Sequence, residues 1–565
     1  MTDLTFAPGR NCWRHARADR FSLIIDAQDY FVALRRAMIE ARDQVLMIGW
    51  DFDFEIEMLP GQSDAGGLAP DGLPNRVGPF LEALVDRAPR LDIYLLKWSG
   101  GVLIAPARII PGLRVKWLSP GQIHLGFDGR HPVGACHHQK IVVVDDSLAF
   151  CGGIDVTDGR WDTRDHRPGD PCRALKSGEI AQPWHDAAAM FDGPAVRVTA
   201  DLARARWLRA TDEDLPAPLA DTRDMWPAEV EPDLRDVEIA LSRTEPPTGD
   251  APAVVEIETM YLDAIASARR SIYLESQYFS APGIADAIAD RLAEPDGPDV
   301  VVINPRAAQG AVEDLAMHVP RSRILREMAR RDPHRRFRIL YPVNAASEPI
   351  YVHAKLMIVD DTMLRVGSSN LNRRSMGFDS EADVTLIAAN DEHRAAIRRI
   401  RASLLAEHMG RDPDRVARAI ERRGLVGAVR ALNHMTHRRL RRVPRRREGF
   451  WGRWLADMRI FDPRYHPDAD GRSGVTGRHL MIGAGVLALG AGLIAWRRRT
   501  RGAARTRAES HTPPRDPGRD HDGRLPAVIP ADKRNRPSFR RSPDEKGTRN
   551  GWTPVRPDPR LPPQL

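Results

Sequence analysis

His138-Gln139-Lys140-Ile141-Val142-Val143-Val144-Asp145 is answered 215 residues later by His353-Ala354-Lys355-Leu356-Met357-Ile358-Val359-Asp360. Each stretch has a glycine seven residues past its aspartate (Gly152, Gly367) and a polar residue ten past it (Asp155, Asn370). Lysine is scarce in the chain: only seven of its 84 basic residues are lysine, the rest arginine, yet lysine stands at both motif positions. In an extended chain residues two apart share a face, so His138 projects with Lys140 and His353 with Lys355. Asp145 and Asp360 fall on the other parity, beside Asp146-Ser147 and Asp361-Thr362, which have turn composition. The aspartates are therefore expected to hold the motif strand in place rather than to face a ligand. One such motif reads as an ordinary strand with an exposed histidine and lysine; two with matching downstream spacing read as a paired site.

Working outward, Ala37–Asp53 echoes Ala264–Ser280 as a helix end followed by an apolar strand with a polar exit. Leu91–Lys97 and Val300–Asn304 read as later strands, and Val115–Leu118 and Phe337–Tyr341 as strands just before the motifs. Helices alternating with strands point to a mixed, largely parallel sheet with helices on both faces. The fold class is α/β: two similar halves, each a mixed sheet flanked by helices, closing one shared site. The expected division is 8–210 for the first half, 211–235 for a linker and 236–409 for the second half. A basic helical or linker region follows over 410–478, a membrane-anchoring apolar helix over 480–496 and a disordered tail over 505–565.

Leu480–Trp496 is a run of 17 uncharged residues closed by Arg497, Arg498 and Arg499, at the lower limit of a bilayer-spanning helix. Seven arginines lie between His437 and Arg447 and six between Arg497 and Arg507, runs that suit an anionic membrane surface. Beyond Arg505 the composition cannot repay the entropy of ordering. Residues 1–20 lack the apolar core of an export signal. The expected location is the cytoplasmic membrane with the site on the cytoplasmic side, or export by a route not visible in the sequence. Cys12, Cys136, Cys151 and Cys172 are too few and too irregular for a disulfide framework or a zinc site.

The double H-x-K-x4-D pattern resembles the phospholipase D superfamily. Gly159-Arg160-Trp161-Asp162-Thr163, Gln182-Pro183-Trp184-His185-Asp186 and Gly193-Pro194 are similar to its phosphatidylcholine-cleaving branch. So are Glu275-Ser276-Gln277-Tyr278-Phe279, the run Gly367–Ser375 and Asp379-Ser380-Glu381. The resemblance covers roughly Phe21–Met409 and implies a catalytic set of His138, Lys140, Asp145, His353, Lys355 and Asp360. It assigns a covalent phosphohistidine to one histidine, expected to be His138, and leaving-group protonation to the other, His353. It implies phosphate contacts from Ser368 and Asn370, and orientation of each histidine by a carboxylate of the other half, Asp186 or Glu381. The first half departs from the pattern with Gly153 and Asp155 at the places of that serine and asparagine; Asp155 is expected to bind backbone or a neighbouring histidine.

The chemistry fits the residue types. A phosphodiester's anionic oxygens repel nucleophiles, and two lysines offset that charge while two imidazoles supply nucleophile and acid near neutral pH. No metal and no cofactor is therefore expected. His137 faces away from His138, so the two do not form a metal pair, and His166 and His185 read as isolated loop histidines. The expected activity is hydrolysis of a glycerophospholipid to phosphatidic acid, with phospholipid and the membrane surface as partners and no specific nucleic acid. The runner-up reading is a cardiolipin-synthase-like phosphatidyltransferase; weaker ones are a nuclease, which in the family resembles a single dimerising half, or another phosphodiesterase, and a non-catalytic membrane scaffold.

Overall fold

The computed structural model describes residues 4–444, except 101–120, 133, 219–222, 249–250, 310 and 435–436, together with residues 462–464. The expectations for Val115–Leu118, 480–496 and 505–565 lie outside the described residues. Among the described residues no helix is long and apolar enough to cross a membrane.

The N-terminal strands are β1 (Arg14–Ile25), β2 (Gln44–Gly49), β3 (Asp92–Trp98), β4 (Ile123–Asp128), β5 (Ile141–Val144), β6 (Leu148–Gly152), β7 (Trp184–His185) and β8 (Ala187–Asp192). They are followed by β9 (Leu234–Glu245), β10 (Val254–Val255), β11 (Ser271–Glu275), β12 (Asp299–Ile303), β13 (Phe337–Val343), β14 (Tyr351–Val352), β15 (Leu356–Val359), β16 (Met363–Gly367), β17 (Glu381–Ile387) and β18 (Arg439–Arg442). The helices are α1 (Ala27–Ile39), α2 (Val77–Arg87), α3 (Pro194–Thr211), α4 (Glu256–Ser267), α5 (Pro282–Ala293), α6 (Ala311–Arg331), α7 (Asp391–Met409) and α8 (Pro413–Leu432).

One sheet takes in every strand but β7 and β14, which pair with each other, in the order β18-β13-β12-β11-β15-β16-β17-β9-β1-β8-β6-β5-β2-β3-β4, with β10 beside β9. β1 and β9 join its two flanks antiparallel, Arg14 opposite Leu241 and Phe21 opposite Leu234. The motif strands β5 and β15 are apolar and buried along their whole length, as strands covered on both faces must be. The expectation of a largely parallel sheet is corrected. Only β2–β3, β3–β4, β11–β12 and β12–β13 pair parallel within it. The motif strands instead turn back on themselves through the antiparallel hairpins β5–β6 and β15–β16. Asp145, Asp146 and Asp360 make those turns at positive φ, a conformation Asp tolerates better than most residues.

One face of the sheet carries α3 and α7, packed over a core that runs from Leu23 and Ile48 to Val301 and Leu440 without interruption. The other face is covered by α1 and α2 on the N-terminal flank and by α4, α5 and α6 on the C-terminal flank. The described residues all belong to one compact unit. The stretch read as a linker is pinned at Leu215, Met225 and Trp226, all buried. After Met409, the described residues of the basic region up to 444 are also packed against the sheet. Val416, Leu425, Val429 and Leu432 of α8 enter the core, and β18 extends the sheet beside β13 through Leu440.

Candidate active site

Both motif histidines sit on the short extended approaches to β5 and β15, one residue pair before regular pairing begins. Each approach is gripped by a segment from the opposite flank. His138 N–H donates to Ser380 O at 2.9 Å, and Ser380 N–H donates to Cys136 O at 3.0 Å, which sets Glu381 beside His138. In the same manner His353 N–H donates to His185 O at 2.8 Å and Tyr351 N–H to Pro183 O at 2.8 Å, which sets Asp186 beside His353. The carboxylates follow: Glu381 Oε2 lies 2.9 Å from His138 Nδ1, and Asp186 Oδ2 lies 2.6 Å from His353 Nδ1. With Nδ1 engaged, both Nε2 atoms are left for chemistry. A Cβ at Gly153 would collide with Asp186 Oδ1, so the glycine found where the other flank has Ser368 keeps that carboxylate in place.

The lysines lie behind their histidines. Lys140 Nζ donates to His138 O at 3.1 Å and pairs with Asp155 Oδ2 at 3.2 Å; Lys355 Nζ donates to His353 O. Asp155 also accepts from Trp50 N–H at 3.2 Å, so it serves backbone and lysine, not a histidine. Burial and the two ammonium groups hold His138 well below the ordinary imidazole range, and burial with Lys355 does the same to His353. Burial, reinforced by Lys140, pulls Lys355 down to about 7. The two carboxylates diverge. His353 and Lys355 outweigh burial at Asp186 and bring it down to about 2, whereas burial pushes Glu381 up to about 8 despite two hydroxyl donors. Both imidazoles are thus uncharged near neutrality with no anion bound, and only Asp186 is a firm negative charge beside its ring.

Asp145 does not approach the histidines: it accepts from the N–H groups of Arg42, Asp43 and Gln44 at 2.8, 3.0 and 2.7 Å. Asp360 repeats this with Arg269, Arg270 and Ser271 at 2.9, 2.7 and 2.7 Å, so both aspartates tie a motif hairpin to the strand next to it. The Ser368 hydroxyl donates to Glu381 Oε2 at 2.5 Å and accepts from Ala382 N–H at 3.0 Å. Asn370 is buried with its side-chain oxygen unpartnered, which leaves its amide the better placed of the two to meet a phosphate. His166 and His185 are not isolated: both are fully buried, His185 within β7, among Asp26, Asp162, Glu275 and Glu407.

The sequence reading gave no role to Ser375 or to the aromatic wall. Ser375 donates to Glu381 Oε1 at 2.6 Å, the second hydroxyl on that carboxyl. Trp184 stacks on Tyr351 at 4.7 Å and lies 5.1 Å from the His353 ring, with the Arg160 guanidinium over its other side at 4.1 Å. Trp and Tyr at one edge of a cationic site suit a ligand with an apolar body beside its charge.

The family described as cardiolipin synthase, PLD-like domain, matches residues 261–402. Phospholipase D A of Dictyostelium discoideum is 25% identical over 447 residues, covering 67% of this chain and 34% of that protein. Phospholipase D alpha 1 of Nicotiana tabacum is 24% identical over 395 residues, covering 48% of this chain and 49% of that protein. Phosphatidylserine synthase of Haemophilus influenzae Rd KW20 superposes with a TM-score of 0.45 at 10% identity, over 72% of this chain and 93% of that one. The chain is thus similar to members of the phospholipase D superfamily. It spans about a third to a half of the length of these curated phospholipases D.

Proposed function

We propose that the chain is a phospholipase D that hydrolyses a glycerophospholipid such as phosphatidylcholine to phosphatidic acid and the free head-group alcohol. The crossed pairing of His138 with Glu381 and His353 with Asp186 carries this reading, because it aims two uncommitted Nε2 atoms past two buried lysines. The strands from β1 to β8 and from β9 to β18 are taken as two similar halves, each lending a carboxylate to the other's histidine.

Lys140 and Lys355 receive the phosphate oxygens, with the Asn370 amide as a neutral donor. The bound anion offsets the lysines' field, and His353 then gains a proton because ionised Asp186 stabilises its imidazolium. His138, beside a carboxyl that is neutral at pH 7, stays uncharged and is the more open imidazole, 16% exposed against 7% for His353. Its Nε2 attacks phosphorus, the bond from phosphorus to the head-group oxygen breaks, and His353 delivers its proton to that oxygen. His353, now neutral, takes a proton from water as the water oxygen attacks phosphorus. The P–N bond breaks, phosphatidic acid leaves and both imidazoles return to their starting state. A primary alcohol in place of water gives transphosphatidylation by the same steps. The basic C-terminal segments support a membrane surface as the setting for this chemistry, and its cytoplasmic side is part of the same proposal.

The test is incubation of purified protein with defined phosphatidylcholine vesicles, with and without ethanol. Released choline is measured together with phosphatidic acid and phosphatidylethanol by mass spectrometry. Choline release that disappears in His138→Ala and in His353→Ala supports the reading; no turnover of any glycerophospholipid by folded protein refutes it. A second reading, phosphatidyl transfer between two phosphatidylglycerol molecules, is favoured by the family match over 261–402. Cardiolipin formed from phosphatidylglycerol alone, faster than phosphatidic acid from any substrate, would establish it instead.

A further inference from the structure

Behind the His353 approach, four buried side chains converge: Asp26 at the end of β1, His166, His185 in β7 and Glu407 in the last turn of α7. One ligand atom from each lies within 4.8 Å of the others. We propose that Asp26, His166, His185 and Glu407 bind one divalent cation, with zinc the best fit, and that this ion clamps the two flanks of the sheet together behind the reacting histidines.

Several atoms of these four side chains are already committed to partners outside the cluster. Asp26 Oδ1 accepts from Asp186 N–H at 3.0 Å, while Asp26 Oδ2 is buried with no hydrogen-bond partner. His185 Nε2 bonds Glu275 Oε2 at 2.7 Å, while its Nδ1 is buried and has no hydrogen bond of acceptable geometry. His166 Nδ1 bonds Asp162 Oδ2 at 3.0 Å and directs Nε2 inward. Glu407 Oε2 accepts from Arg164 at 2.6 Å and leaves Oε1 to the interior. Each residue therefore has one end held from outside the cluster; of the inward ends, His166 Nε2 and Glu407 Oε1 hydrogen-bond each other at 3.3 Å, and Asp26 Oδ2 and His185 Nδ1 have no hydrogen-bond partner. Buried polar atoms are almost always satisfied, so two orphans aimed at one point call for a shared partner.

The spacing fits a small cation. His166 Nε2 lies 3.6 Å from Asp26 Oδ2 and 3.3 Å from Glu407 Oε1, and His185 Nδ1 lies 2.8 Å from Glu407 Oε1. A tetrahedron with bonds of about 2.0–2.2 Å to zinc has edges of about 3.3–3.6 Å, so two of these three edges already fit and the His185–Glu407 edge must open. Two imidazoles and two carboxylates are a zinc-type donor set, whereas calcium and magnesium prefer more oxygen ligands and retain water. The surroundings match those of a metal centre as well. Each histidine gives its other nitrogen to a carboxylate, Asp162 or Glu275, the arrangement that fixes tautomer and ring angle in zinc sites. Those carboxylates are held in turn: Asp162 by Arg173 and by Trp184 N–H, Glu275 by His408 and Tyr273. All four ligands are buried, so the site is closed and structural, with no opening for a substrate.

The competing arrangement is a network of protonated histidines and carboxylates without an ion. It supplies positive charge, but a protonated His185 Nδ1 would be left without a well-directed acceptor. The site also explains how Asp186 is held so firmly. His185 precedes it in the chain, and Asp26 grips its amide.

Tag-free full-length protein, purified without added metal or chelator, is expected to carry about one zinc per chain by plasma mass spectrometry. X-ray absorption at the zinc edge should show two imidazole nitrogens and two carboxylate oxygens, and no sulfur. Glu407→Gln and His166→Asn should each lower the content below about a fifth of an equivalent. If a variant does not fold, wild-type stoichiometry and the edge spectrum decide alone. Protein that stays metal-free after unfolding and refolding in ZnCl2 overturns the proposal in favour of the proton network. Sulfur or six-oxygen coordination overturns it as well.

Discussion

Asp186 stands 2.6 Å from His353 Nδ1, although 167 residues of chain separate them and they belong to opposite flanks of the sheet. Asp186 is ionised over the whole working range, whereas Glu381, the partner of His138, is neutral at pH 7. The two histidines are similar in motif and unlike in electrostatics, and this difference assigns their roles under the proposed function.

Asp186→Asn should therefore behave as a loss of the acid. With phosphatidylcholine, kcat is expected to fall by about 10³-fold, in the middle of the range for a lost general acid. With a p-nitrophenyl phosphodiester, whose leaving group needs no proton, the loss should shrink below about tenfold for formation of the phosphoenzyme. Rapid-quench measurement of p-nitrophenol release checks this. Equal losses on both substrates would sink the assignment.

The pH dependence carries a second signature. Lys355 is brought down to about 7 by burial, so its ammonium is lost as pH rises through that value with no anion bound. The kcat/KM profile, which reports unliganded protein, should fall on its alkaline side with a midpoint near 7 to 8. The limb in kcat should lie higher, because a bound phosphate favours the ammonium. A profile flat from about pH 6 to 9 on a soluble short-chain substrate would refute it.

Glu381 makes a prediction about stability. Burial raises it from 4.5 to about 8, so folding favours the neutral carboxyl. Its contribution is full below the unfolded value and is lost as pH climbs from 4.5 to 8. Glu381→Gln removes that dependence. Relative to wild type, the variant should gain stability between these limits, by a few kcal/mol at most. Urea melts at several pH values measure the difference, and a gap that does not change with pH would contradict it.

Asp145→Asn and Asp360→Asn test the aspartates that grip three amides each. An asparagine keeps one acceptor and turns a donor towards N–H groups, so each variant should lose about 2–4 kcal/mol of stability. The kcat of the folded fraction, counted by phosphoenzyme burst, should stay within about threefold. Collapse of kcat with unchanged melting would return these residues to the chemistry.

Local pattern carried much of this site and little of its support. The H-x-K spacing and the apolar runs of β5 and β15 are short-range signals, and strand parity already separated Asp145 and Asp360 from the histidines. The carboxylate assignments came through resemblance to known motifs, since nothing near His138 in the chain points to Glu381. The bond from Ser368 to Glu381 could not be read from sequence, because it depends on where Glu381 lies. The Asp26–His166–His185–Glu407 cluster gave no signal at all. Each member is an ordinary single residue in its own segment, and His166 meets Glu407 across 241 residues. β18 was hidden by composition, because Arg-Leu-Arg-Arg reads as a charged run while its one leucine makes the edge strand.

The crossed pairing also sets a schedule. Glu381 follows His138 by 243 residues, so at about 5–20 residues per second a ribosome takes roughly 12–50 s to supply it. Throughout that interval His138 and Lys140 are present without the carboxyl that orients the ring, and β1 lacks its neighbour β9 until translation reaches Leu234. A nascent chain therefore holds no competent site until most of the sheet has been made. A phosphodiester-cleaving centre built in this way stays silent during its own synthesis, when the unfinished chain is least able to control what it touches.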